Sequence, residues 1–193
     1  GYKNVNNQMI MLGSYDLMSR VVDSLPFLQV EYITQGRFKT RSLYRQTPIL
    51  IDHQRIEPSA YGVLYQITFN NDGSFHISST EESQSVEIDA HYGEPISCGL
   101  FDITIWPTEL MTNTGRLYFR FRSHESLVDE FMSRLQLSFV TEGSTVLALS
   151  LVSETPQRDC EFLDKLAEIY LLQNLEQKNE VAENSIRFIN EQL

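Results

Sequence analysis

The chain has 193 residues, 41% of them hydrophobic and 21% charged, which bounds it to one globular domain, or one domain with an appendage, and excludes a disordered or fibrous chain. Fifteen Lys and Arg against 26 Asp and Glu leave a formal net charge of −11, which disfavours whole-surface binding to nucleic acid or to anionic lipid. No run approaches the roughly 18 consecutive apolar residues of a membrane span and no signal peptide opens the chain, so it reads as a soluble acidic domain.

From Asn4 to Leu25, apolar residues at intervals of three and four (Val5, Met9, Leu12, then Met18, Val21, Val22) predict a helix over 5–25, closed by Pro26. Strand-like patterns occupy 28–34 and 61–69, and Asn71-Asp72-Gly73 predicts a tight turn into a strand over 74–79. Residues 86–105 read as short strands broken by Gly93, Pro95 and Gly99, and Pro107 turns the next residues into a loop. Arg116 to Arg122 alternates cleanly, with Leu117, Phe119 and Phe121 on one face. Ser123 sits where an N-cap belongs, before an amphipathic helix over 125–135. Strands over 136–141 and 145–152 are joined by Glu142-Gly143-Ser144, and Thr155-Pro156 starts a final helix of roughly 57 Å at about 1.5 Å per residue.

These elements define an α+β (α/β) fold: a mixed sheet with helices packed on one face and a long C-terminal helical arm. The expected division is 1–155 as an α/β base and 156–193 as a helix that packs on the base and then leaves it. A core-like stripe, Leu163, Leu166, Ile169 and Tyr170, thins near Gln173 to Lys178 and resumes as Ala182, Ile186, Ile189 and Leu193 at coiled-coil spacing. That second stretch either meets a partner helix or folds back over its own domain. The final helix lacks a C-cap Gly or a following Pro, and Gly1-Tyr2 reads in part as a cloning remnant, so the chain is expected to be a piece of a longer protein.

Motifs for catalysis do not emerge. There is no phosphate loop, no G-x-G-x-x-G, no G-x-S-x-G elbow and no H-E-x-x-H pair, so no enzymatic activity, cofactor or metal is expected of the chain. His53, His76, His91 and His124 are dispersed; Asp52 and His53 adjoin, but strand neighbours point to opposite faces. Cys98 and Cys160 form no CxxC, and the sequence leaves open whether they pair or stay as two buried thiols. Positive charge gathers in two strand-like segments, Arg37, Lys39, Arg41 and Arg45, and Arg116, Arg120 and Arg122. Arg37, Lys39, Arg41, Arg116, Arg120 and Arg122 are therefore candidates for an anionic-partner patch, weighed against a solvated face neutralised by acidic neighbours. The Arg–Tyr–Phe alternation lacks the glycines of an RNA-stacking strand, and no nucleic-acid partner is expected.

Three blocks, with Tyr118-Phe119-Arg120-Phe121 as a shorter further stretch, carry a family likeness. Asn7 to Leu25, with its V-V-x-x-L ending, is the first. Tyr32-Ile33-Thr34-Gln35-Gly36-Arg37 followed by Leu43-Tyr44-Arg45-Gln46-Thr47-Pro48-Ile49 is the second. The third runs from Lys165-Leu166 to Gln192-Leu193 and holds Tyr170, Asn174, Lys178-Asn179, Ala182, Asn184 and Phe188-Ile189 in fixed register. Together they resemble the periplasmic region of bacterial polysaccharide co-polymerases, the chain-length determinants of Wzz/Wzc type, and are most similar to Bacteroidetes members that carry a tyrosine autokinase tail. Residues 52–115 are the vaguest part of the likeness.

The resemblance implies a periplasmic segment between two inner-membrane helices, assembled as homo-oligomeric rings that set the length and export of O-antigen, capsule or exopolysaccharide. It implies as partners the polysaccharide polymerase, the growing glycan and an outer-membrane export protein. Arm residues Glu176, Asn179, Glu183 and Arg187 are then candidates for the oligomer interface, and the full-length parent is a candidate tyrosine autokinase. The alternative is a free carbohydrate-binding module, with Tyr61, Tyr65, Tyr92 and Tyr118 as stacking aromatics.

Overall fold

A computed structural model describes residues 2–37, 39–112, 115–140 and 146–193. Phe38 and the Glu142-Gly143-Ser144 connection lie outside the described residues. The protein is α+β, and it packs as two compact units, one formed by Phe27–Leu127 and the other by Gly1–Pro26 with Val128–Leu193. The boundary expected at residue 155 is not where these units divide.

The unit Phe27–Leu127 is a sandwich. Its strands are β1 Val30–Gln35, β2 Thr40–Ser42, β3 Ile49–Ile56, β4 Tyr65–Phe69, β5 Ser74–Ser79, β6 Glu87–His91, β7 Pro95–Ser97, β8 Phe101–Pro107 and β9 Gly115–Phe121. One sheet has the order β2-β1-β9-β4-β5-β6 and the other β3-β8-β7, and every pairing between these strands is antiparallel. The strands thus divide among separate sheets where the sequence pattern predicts one. The reason lies in alternation: Tyr65, Ile67, Phe75, Ile77, Leu117 and Phe119 from the large sheet and Phe101, Ile103 and Ile105 from the small one are all buried into one core. Tyr65 meets Phe101 edge-on at 5.3 Å, and the Ile51 N–H donates to the Tyr32 hydroxyl at 2.8 Å, so rings and one polar bond tie the two sheets together.

Between His53 and Arg55 the β3–β8 register shifts by a bulge. The extra residue, Gln54, returns Arg55 to the outer face opposite Asp102, where strict alternation would have aimed it at the core. The guanidinium then reaches Asp102 Oδ2 at 2.8 Å, the Cys98 carbonyl at 2.7 Å, and Glu57.

The other unit contains α1 Tyr2–Leu12, α2 Tyr15–Asp23, most of α3 His124–Arg134, the antiparallel pair β10 Leu135–Phe139 and β11 Leu147–Leu151, and α4 Pro156–Gln192. The helix expected over 5–25 is two helices. Gly13-Ser14 breaks it because the extended Ser14 caps the second piece, its hydroxyl accepting from the Leu17 N–H at 3.3 Å. Leu17, Met18, Val21 and Val22 of α2 are all but fully buried, each stabilising the unit by about 1.5–3 kcal/mol. α2 packs on α4. Ser123 caps α3 as its position predicts, accepting from the Ser126 N–H at 3.2 Å. Thr155 holds the N-cap position of α4, yet its side chain makes no capping bond; Pro156 at the first turn needs none.

Gly73 in the β4–β5 turn has φ +81°, and Asp72 Oδ1 accepts from the Ser74 N–H at 3.0 Å. A Cβ on Gly73 meets no neighbour, so the cost of Gly73→Ala is backbone strain alone, about 1–2 kcal/mol in chemical denaturation. Gly99, equally open but without a positive φ, provides the control: Gly99→Ala should be neutral or stabilising by up to about 1 kcal/mol.

Candidate functional site

The arm is built from its base upward. At the start of α4, Asp159 is only 2% exposed, and a carboxylate there must find counter-charges or lose its ionisation. It finds two: Arg134 at 2.5 Å and Arg158 at 3.0 Å. Glu130 lies 3.4 Å from Arg134 and 3.9 Å from Arg158, extending the cluster. Burial pushes the Asp159 carboxyl up, but hydrogen bonds from Arg134, Ser153 and Arg158 outweigh it and hold the group below its ordinary range. Beside this cluster the Phe131 and Phe162 rings stack at 3.8 Å, with both guanidinium groups 5.6 Å from the Phe131 centroid.

Beyond the base the helix changes character. Phe162, Leu166 and Ile169 are buried, whereas every residue from Leu175 to Leu193 is exposed. Leu171, Leu175, Ala182, Ile186, Ile189 and Leu193 form an exposed apolar stripe covering about 33 Å. This stripe is not the buried one resumed. At 3.6 residues per turn, Ile186 lies about 200° around the helix from Leu166, so the stripe occupies nearly the opposite face. Glu176, Asn179, Glu183 and Arg187 share the face beside it, all exposed, and Arg187 Nη2 donates to Asn184 Oδ1 at 3.1 Å. The structure therefore brings the four candidate interface residues together along one flank of an uncovered apolar seam.

The six basic candidates are not brought together. Arg116 and Arg120 share the outer face of the large sheet. Arg120 is held by Glu31 at 2.5 Å, and Arg122 lies 3.6 Å from the same carboxylate oxygen, so the two share one acid. Arg41 pairs with Thr34 and falls on the opposite face, that of Val30 and Tyr32. Arg37 and Lys39 sit in the turn between β1 and β2, and Arg45 lies 5.1 Å over the Phe27 ring. On the same outer face His76 bridges Asp89 at 2.8 Å and Glu87 at 2.5 Å. The Asp89 bond, against some desolvation and with help from Glu87, raises the His76 pKa.

Of the four tyrosines considered as stacking aromatics, Tyr65 is wholly buried, Tyr92 packs on Phe75 at 5.3 Å, Tyr118 is half-buried, and only Tyr61 is exposed. The exposed aromatic that sequence reasoning passed over is Trp106. Its signal was present in Ile103-Thr104-Ile105-Trp106, where alternation sets it opposite two buried isoleucines. Asp159 was also missed, since its partner Arg134 lies on another element. Cys98 is half-buried, Cys160 is exposed, and both are free. Among the described residues no cluster of His, Cys, Asp or Glu fits a metal ion, and no helix is long and apolar enough to cross a membrane.

Asp159→Ala leaves Arg134 and Arg158 facing a void and should cost about 3–5 kcal/mol in denaturant unfolding. Because its folded pKa is depressed, the stabilisation from Asp159 is complete above the ordinary carboxylate value of about 4 and is lost as pH falls through the lowered one. Asp159→Asn should flatten the acid limb of a stability–pH profile. For His76 the sign reverses: its pairing is complete below about 6.5 and is lost as pH rises through the raised value, which an NMR titration of the imidazole will read.

No family model matches the chain, and no curated protein matches its sequence.

Proposed function

We propose that this chain is the periplasmic part of an inner-membrane polysaccharide co-polymerase, which regulates the length and export of a capsule, exopolysaccharide or O-antigen by assembling as a homo-oligomer. The observation that carries this reading is the second half of α4, an ordered helix whose apolar stripe is exposed throughout and flanked by charged and amide side chains. A seam of that length has the spacing of helix–helix contact. The likeness of Lys165–Leu193 to the arm helix of chain-length determinants supports the same reading from the residues themselves.

In this mechanism the chain performs no chemistry of its own. The base holds the helix, the stripe takes a second helix, and the flank of Glu176, Asn179, Glu183 and Arg187 meets the neighbouring protomer. Anchoring in the membrane raises the effective concentration of subunits and drives closure of a ring around the polymerase and growing glycan, in line with an outer-membrane export protein. A cytoplasmic tyrosine kinase domain in the full-length parent would couple its phosphorylation to assembly.

Three variants test this. Ile186→Asp with Ile189→Asp should change the stability of the isolated chain by no more than about 0.5 kcal/mol, because neither side chain is buried. In the full-length parent, extracted in mild detergent and weighed by mass photometry, the same pair should dissolve the oligomer, and the polysaccharide made in cells should lose its modal length. Reversing charge at Glu183 and Arg187 singly should weaken the oligomer. An oligomer and a length distribution indifferent to all of these changes sink the proposal.

A further inference from the structure

The outer face of the small sheet presents an exposed aromatic side chain, apart from the arm. Trp106 is the sole tryptophan of the chain and is 51% exposed, with its cross-strand partner Leu50 42% exposed. The indole lies against Gly93, where a Cβ would come within 3.0 Å of Cζ3 and 3.2 Å of Cη2. Gly93 is held there by its N–H bond to the Ile105 carbonyl at 2.9 Å and by a φ of +78° that favours glycine. The ring is thus seated on bare backbone in one orientation, and much of its surface is left open to solvent.

Along the same face the next cross-strand pair is Asp52 with Thr104, and beyond it stand Arg55 with Asp102, placed there by the bulge at Gln54. Ser97 of β7 donates to Asp102 Oδ1 at 2.5 Å. Same-face pairs recur about every 6.7 Å, so the strip from the ring to the Arg55–Asp102 pair runs about 13 Å. It offers an aromatic surface at one end and carboxylate, hydroxyl and guanidinium groups at the other.

We propose that this strip binds a neutral oligosaccharide segment lying along β3 and β8, one sugar ring stacked on Trp106 and its neighbours hydrogen-bonded by the exposed Asp52 and the Arg55–Asp102 pair, with Thr104 buried beneath them. The negative face of an indole attracts the weakly positive C–H edge of a pyranose, and a carboxylate takes two adjacent hydroxyls at once. Other occupants fit worse. A stable protein partner needs about 800 Å2 a side with charge depleted at its centre, whereas here only Trp106 and Leu50 are apolar and the charged Asp52 stands next to them. An acidic glycan, a nucleic acid or an anionic membrane would meet an exposed Asp52 on a chain of net charge −11.

The sole tryptophan reports directly on the site. The 193-residue chain is titrated with maltohexaose, cellohexaose and fully N-acetylated chitohexaose, with polygalacturonate as the acidic control, while indole emission is followed. At least one neutral hexasaccharide should shift the emission to the blue with saturation. Calorimetry on the same pair should show binding abolished by Trp106→Ala and weakened about tenfold or more by Asp52→Ala, with both variants melting as the parent does. Emission unmoved by all three neutral sugars, or moved by polygalacturonate alone, overturns the proposal. A shift that tracks protein concentration without sugar also overturns it and identifies a second copy of the chain as the occupant. None of these readouts depends on oligomer assembly, so this inference and the proposed function can fail separately.

Discussion

A carboxylate cut off from water sets the geometry of the helical unit. Asp159 sits in the first turn of α4 with almost no solvent contact, and an ion so placed is destabilising by several kcal/mol unless charge and hydrogen bonds surround it. Arg134 from the end of α3 and Arg158 from α4 supply both, and the Phe131–Phe162 stack closes the apolar side of the cluster. Because α4 is one continuous helix, fixing its first turns fixes the direction of everything after Ile169. Moving Asp159 by one position would rotate it about 100° away from both guanidinium groups and release that constraint.

The same helix serves two surfaces by turning a different side to each. Its first turns bury Phe162, Leu166 and Ile169, and burial supplies the stability that helix propensity alone does not. Its later turns bury nothing. They remain helical because an anchored helix has already met the cost of nucleation and propagates through Leu, Glu, Lys, Gln and Ala, residues that lose little in a helix. An apolar stripe kept in water on such an extension is a standing driving force for association, and its position opposite the buried face leaves the anchored turns undisturbed by whatever covers it.

On the sandwich, charge explains which outer face is inert and which is open. On the large sheet Glu31 is shared by Arg120 and Arg122, and His76 is lodged between Asp89 and Glu87. Cross-strand pairs of opposite sign in this arrangement stabilise the sheet modestly and leave little field for an anion. The small sheet pairs Arg55 with Asp102 but keeps Trp106 and Asp52 on its surface. One bulge adds Arg55 to that face by moving it out of the core side.

Short-range pattern determined a good deal. The Asn-Asp-Gly turn and its hairpin, the cap and span of α3, the alternation of β9 and the start of α4 come from spacings of two to four residues, where local sterics and hydrogen bonding decide. The arm and its four flanking candidates were legible for the same reason, since helical period alone places Glu176, Asn179, Glu183 and Arg187 on one side. Features that depended on parity or on distant partners were not. A strand's register decides which face its residues take, and a shift of one inverts the set, so only the pairing of Thr34 with Arg41 separates Arg41 from Arg116 and Arg120. Whether an acid in a first helical turn is a solvated cap or a buried anchor depends on an arginine 25 residues away. Separation of the strands into two sheets, the aim of Arg55 and the seat of Trp106 on Gly93 belong to that class: burial and contact are properties of the folded surface, and they exist only once remote segments have met.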